Sequence, residues 1–315
     1  MLGVVFPGQG AQSVGMLGDL AREEPSITRR FEQAAEIIGA PLDRYVAEGP
    51  EAQLNLTEFT QPAVLTASVA LWEIWQRRGG PAPALFAGHS LGEYSALVCT
   101  GALSFEEGVR LVNLRGRYMQ EAVPPGEGAI AAILGLDNAQ VEACCDAIDG
   151  VVSPANYNAP GQVAIAGGYA AVEQAIEACK DAGAKRAVML NLSVPVHCSL
   201  MAPASEQLAA ALDACALQMP AVPVVHNIDG TIASDLPTLK DKLLQQLAGP
   251  VQWVRCVQAM QAEGVSTLVE CGPGKVLGGL IKRIDRKLPC RATDSDPAMN
   301  DAIAAAAAAE DAQEN

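Results

Sequence analysis

A serine set between glycines, Gly88-His89-Ser90-Leu91-Gly92, stands after the apolar run Ala84-Leu85-Phe86-Ala87 and before the helix-forming stretch Glu93-Tyr94-Ser95-Ala96-Leu97-Val98. That order puts Ser90 on a sharp strand-to-helix turn, where a side chain at either glycine would strike the adjoining strand or helix and where the hydroxyl is pushed into the open. A serine hydroxyl is a weak nucleophile at neutral pH and needs a base within hydrogen-bond reach. The chain has three histidines. His89 sits beside Ser90, where adjacent side chains diverge, and His226 closes the apolar Val224-Val225 as a structural strand-end residue. His197, in Val194-Pro195-Val196-His197-Cys198, is the base by elimination, and no aspartate stands out as a third member. The oxyanion formed by attack on a carbonyl would meet the backbone N–H of Leu91, supplied by the turn. A second donor must come from another loop, for which Gly8-Gln9-Gly10 is the leading candidate.

Arg115 bears on the substrate. Projecting residues 106–121 at about 100° per residue places Leu111, Val112, Tyr118 and Met119 on one arc and Arg110, Asn113 and Arg117 opposite, with Arg115 inside the apolar arc. A buried arginine requires a carboxylate, phosphate or carbonyl partner. Two partners are open: an internal ion pair with Glu93, or a carboxylate on the substrate held bidentately.

These residues need a frame. Leu2 to Phe6 reads as a first strand leaving the sheet through the glycine-rich loop Pro7-Gly8-Gln9-Gly10. Thr60-Gln61-Pro62 opens a helix through Leu65, Val69, Trp72 and Trp75, with Thr60 as cap, Pro62 in the first turn, Gly79-Gly80 as the stop and both tryptophans in the core. From 125 to 195 the pattern reads strand (129–134), helix (138–148), strand (151–158), strand (162–166), helix (170–182), strand (187–194). That βαββαβ order predicts a small ferredoxin-like domain inserted into a large α/β-hydrolase-like domain with a parallel sheet, built from 1–124 and 196–301. A ligand belongs in the cleft between them. Residues 265–271 then read as a strand, Gly272-Pro273-Gly274 as a connecting turn rather than a phosphate loop, and 275–286 as a helix. The stretch 302–315 is an alanine-rich, then acidic, low-complexity tail.

Composition narrows the function. Against 21 basic residues stand 36 acidic ones, a net charge of −15 that argues against general affinity for nucleic acid or an anionic membrane. The nine cysteines are scattered without a Cys-x-x-Cys, the usage of a reducing compartment rather than a disulfide framework. No apolar run suits a signal or a membrane span, so a cytoplasmic protein is expected.

Together the motifs resemble the malonyl-CoA:acyl carrier protein transacylase family, which also supplies acyltransferase domains to polyketide synthases. The resemblance runs through Pro7 to Gln12, Thr60 to Ala63, Gly88 to Tyr94, the Arg115 helix, Asn156 to Gln162, Val194 to Cys198, Pro250 to Trp253 and Glu270 to Gly274. It implies that Ser90 is acylated, His197 is its base, Arg115 partners the malonyl carboxylate, and Gln9 and Leu91 donate to the oxyanion. It also implies that a backbone carbonyl near Gln252, rather than an acid, orients the histidine, and that Asn156 and Asn158 lie at the cleft. The implied substrates are malonyl-CoA and the phosphopantetheine thiol of acyl carrier protein, with neither metal nor redox cofactor and with a monomer as the working expectation. The basic residues Lys275, Lys282, Arg283, Arg286 and Lys287 are a candidate surface for the acidic carrier protein. The competing readings are a serine thioesterase on the same residues, a carrier-binding subunit without activity, and a malonyl transferase of a polyketide or malonate-decarboxylation pathway.

Overall fold

A computed structural model describes residues 1–190 and 194–314, with side chains to residue 310. The chain lays down β1 (Leu2–Phe6) and β2 (Leu85–Gly88) and then leaves for a second sheet of β3 (Gly128–Leu134), β4 (Val152–Ala159), β5 (Gln162–Gly168) and β6 (Arg186–Met189). It returns with β7 (Val224–Val225), β8 (Thr267–Glu270) and β9 (Cys290–Ala292). The first sheet is parallel in the order β7-β2-β1-β8-β9. Its β1, β2 and β8 are buried along their whole length, as strands covered on both faces are, β8 carrying Thr267 and Glu270 at its two ends. The second sheet is antiparallel in the order β4-β5-β3-β6, with helices at Asn138–Asp146 and Tyr169–Asp181, the expected split βαβ arrangement. Its last strand ends at Met189, short of the expected 194, and residues 191–193 of that expectation lie outside the described residues.

The tryptophan helix begins earlier than expected. It spans Thr57–Arg77, so Thr60 is not its cap and Pro62 lies beyond its first turn. A proline there frees the carbonyl four residues back, that of Glu58. The Asn113 side-chain amide donates to it at 2.9 Å, which is why the helix continues through the proline. Trp72 and Trp75 are in the core, and Gly79, at φ 75°, follows the helix end. The expected turn at Gly272-Pro273-Gly274 leads into a helix at Val276–Ile284 whose N-terminus is already occupied, since Glu270 accepts from the N–H groups of Leu277 and Gly278 at 2.9 and 2.8 Å. An anion site is therefore closed there, and the turn is a connection. The alanine-rich stretch belongs to the closing helix Asp296–Glu314, which seats Met299, Ala302 and Ala306 in the core.

The two sheets are joined by main chain. Val251, just after the helix Leu236–Ala248, donates to the Ala155 carbonyl at 2.8 Å and accepts from the Tyr157 N–H at 2.9 Å. Its neighbour Gln252 donates to the Asn227 carbonyl at 2.8 Å, beneath the Ser90 turn.

Candidate active site

Ser90 occupies the turn between β2 and the helix Gly92–Cys99 with φ at 51°, the left-handed region that L residues avoid. A Cβ on Gly88 would lie 1.8 Å from the Gly92 carbonyl carbon, and one on Gly92 would lie 2.1 Å from the Phe6 carbonyl oxygen, so both positions require glycine. Asn227 clamps the strained turn: its Oδ1 accepts from the Ser90 N–H at 2.6 Å, and its Nδ2 donates to the Gly88 carbonyl at 2.7 Å.

His197, itself at φ 60°, brings Nε2 to 2.7 Å from Ser90 Oγ. Its Nδ1 stands 2.7 Å from the backbone carbonyl of Gln246, an acceptor only, so Nδ1 carries the proton and Nε2 is free to accept from serine. The carbonyl implied near Gln252 is thus that of Gln246, one helix earlier. Gln252 caps the helix Trp253–Ala262 and reaches the site only through its backbone bond to Asn227. Burial, and next the Arg115 charge, lower the His197 pKa to about 3 from its ordinary 6.5, which keeps the imidazole neutral.

Arg115 lies on the helix Phe105–Ala122, whose Ser104 and Glu107 form a capping box. It is buried, as its place in the apolar arc requires. The ion pair with Glu93 is not made. Glu93 instead accepts from His226 Nδ1 at 2.8 Å, from the Asn227 N–H at 3.2 Å and from the Gln246 side-chain amide. Arg115 is held by neutral oxygens, Gln61 Oε1 at 2.7 Å on Nη1 and Gln246 Oε1 at 2.9 Å on Nη2, and its Nη2 also lies 3.2 Å from Ser90 Oγ. Its Nε has no partner among the described residues. A buried guanidinium without a carboxylate, in contact with a serine hydroxyl, has the chemistry to hold an anionic group.

These groups open on a cleft of about 220 Å³. The large domain contributes Gln9, Ser90, Leu91, Arg115, Met119 and His197 to its wall. From the insert come Asn156 and Asn158 on β4, Asn158 accepting from His89 Nε2 at 2.8 Å. Among the described residues the backbone N–H groups of Gln9 and Leu91 have no acceptor, so both remain available to a ligand. No group of His, Cys, Asp or Glu able to hold a metal occurs among the described residues. Likewise, no helix of the described residues is long and apolar enough to cross a membrane.

The sequence marks Glu93 only as an ion-pair partner for Arg115, a contact it does not make, and it does not single out Asn227 or Gln246. One signal was present for Gln246, which lies seven residues after Leu239 and three after Leu243 and so falls on the buried stripe of its helix, the same anomaly that marks Arg115.

Fold and site together define an α/β enzyme that transfers acyl groups. The sequence profile of the acyl transferase domain matches residues 4–293, and the chain belongs to that family. It is 53% identical over 301 residues to the malonyl CoA-acyl carrier protein transacylase of Escherichia coli K12, covering 95% of this chain and 97% of that one. The transacylase of the same name from Bacillus subtilis is 45% identical over 296 residues, 93% of each. Among solved structures, a malonyl-transacylase in complex with its type II PKS acyl-carrier protein superimposes with a TM-score of 0.95 at 48% identity, covering 96% of this chain and 99% of that one. The malonyl-CoA:acyl carrier protein transacylase of Xanthomonas oryzae gives 0.95 at 46% identity, over 96% and 98%.

Proposed function

We propose that this chain transfers the malonyl group of malonyl-CoA to the phosphopantetheine thiol of acyl carrier protein through a malonyl ester on Ser90. The observation that carries the reading is Arg115, a buried cation that among the described residues meets glutamine oxygens and the Tyr94 ring but no carboxylate, and lies in reach of Ser90 Oγ. Relatives named for this reaction over nearly the whole chain support it.

Ser90 Oγ attacks the thioester carbonyl while His197 Nε2 takes its proton. The oxyanion lies between the N–H groups of Gln9 and Leu91, and Arg115 holds the distal carboxylate. Collapse expels the CoA sulfur, which takes the proton back from Nε2. In the second half His197 removes the proton of the carrier thiol, the thiolate attacks the malonyl ester, and Ser90 leaves with that proton. The carbonyl of Gln246 holds Nδ1–H in both halves. This sequence balances without metal or redox cofactor. The domain of residues 1–124 and 196–301 carries the reacting groups, and the insert of 125–195 supplies Asn156 and Asn158 as the facing wall. The exposed Lys275, Lys282, Arg283, Arg286 and Lys287, on the cleft-lining helix Val276–Ile284 and just beyond its two ends, are the surface we assign to the acidic carrier protein.

Intact-protein mass spectrometry after brief mixing with malonyl-CoA tests the reading. The wild type should gain one malonyl group and lose it to carrier protein, and Ser90→Ala should gain none. An adduct lost to water at the same rate with or without carrier protein would make the chain a thioesterase instead.

A further inference from the structure

We propose that Glu93 is a positioning residue for acyl selectivity, acting on Arg115 through the side chain of Gln246. The inference rests on the reading of Arg115 as the carboxylate receptor.

Glu93 lies within the nucleophile's own helix and is 1% exposed. Its three partners, His226 Nδ1–H, the Asn227 N–H and the Gln246 amide, are all donors, and only a carboxylate accepts from all of them with both oxygens. The consequence falls on Gln246. A primary amide can be turned either way about its last bond, and turning it exchanges donor for acceptor. Glu93 and the Ser90 carbonyl both demand donors, so the Gln246 Nε2 faces the two of them, the carbonyl at 2.9 Å, and Oε1 is left to face Arg115 Nη2 at 2.9 Å. Glu93 thereby fixes an acceptor against Arg115 while its own charge stays one amide away. A carboxylate in direct contact would quench the guanidinium; this arrangement orients it and leaves its charge for the substrate.

In Glu93→Gln, the new amide must keep its oxygen toward His226 and Asn227, and so presents N–H to the N–H of Gln246. The Gln246 amide keeps its sense, because turning would set its oxygen against the Ser90 carbonyl, but the opposed N–H groups push it off position 93 and loosen Oε1 from Nη2. Two effects on malonyl binding follow, with opposite signs. Removing a negative charge near Arg115 favours the malonyl carboxylate, and loosening the acceptor that holds Nη2 disfavours it. The inference requires the second to win.

The measured quantity is the ratio of single-turnover acylation rate constants at Ser90 for malonyl-CoA and acetyl-CoA, in which any loss common to both substrates cancels. Glu93→Gln is expected to lower the ratio severalfold and by about tenfold at most, the effect of one charge-assisted hydrogen bond lost outright, with Glu93→Asp recovering most of it because Gln246 is drawn back into place. A ratio in Glu93→Gln that is unchanged or raised, or one equally low in Glu93→Asp, overturns the inference. If Glu93→Gln does not fold, Gln246→Met removes the relay while keeping the backbone carbonyl on His197; its ratio should fall as well, and a wild-type ratio there overturns the inference. Arg115→Ala separates the two levels: a collapsed ratio beside an unaffected Glu93→Gln sinks only the role of Glu93, whereas an unchanged ratio sinks the carboxylate reading of Arg115 itself.

Discussion

His197 enters the reaction as a neutral imidazole, and its surroundings make a pH signature. Burial first and Arg115 second hold its pKa at about 3, so the free enzyme's kcat/KM should not fall as pH drops through 6.5. A limb titrating near 6.5 in stopped-flow acylation would contradict this. Because a bound carboxylate cancels the Arg115 contribution, the corresponding pKa in kcat should lie above that in kcat/KM. Stability has its own window. The unfolded chain takes up a proton near 6.5 and the folded one only near 3, so this contribution to stability is full above 6.5 and is lost as pH falls between the two values. Urea melts across that range check the sign.

The helices at Thr57–Arg77 and Phe105–Ala122 are fitted to each other at one place. A Cβ on Gly116 would lie 2.6 Å from Glu58 Cα, so the helices touch there, and the contact puts Asn113 under the Glu58 carbonyl and Gln61 against Arg115. Asn113→Ala should cost about 1–2 kcal/mol, the penalty of an unsatisfied carbonyl, read as a lower urea midpoint at constant m. Loss beyond that, or an altered m, would mean that the helix breaks at Pro62. The same pair shows what a sequence displays and what it conceals. The serine turn is legible because glycine, strand and helix signals lie within a dozen neighbouring residues, and the insert is legible because its strands and helices alternate in short, regular periods. Arg115 is legible as a charge on an apolar arc. The start of the proline helix is not, because the group that rescues it sits 55 residues away. Nor is the network under Ser90, whose members meet across separations of 133 to 156 residues. Gln252 shows the limit of a motif, which located the right segment but the wrong carbonyl.

At the scale of the whole molecule the net charge of −15 opposes any acidic partner, and the basic cluster around the helix Val276–Ile284 is a local exception. Reversing Lys282 and Arg286 to glutamate should raise the KM for carrier protein severalfold, and added salt should weaken the wild type toward the same value. Acylation by malonyl-CoA should be untouched, and an unchanged carrier-protein KM would remove the surface from consideration. Arg283 joins that helix to the insert by a bond to Gln162, and Val251 stitches the insert's sheet to the segment that holds Asn227. The stitch has a mechanical consequence. Swinging the insert outward would break two main-chain bonds and pull on the clamp of the nucleophile, so the width of the cleft and the set of the serine hydroxyl are geared to each other.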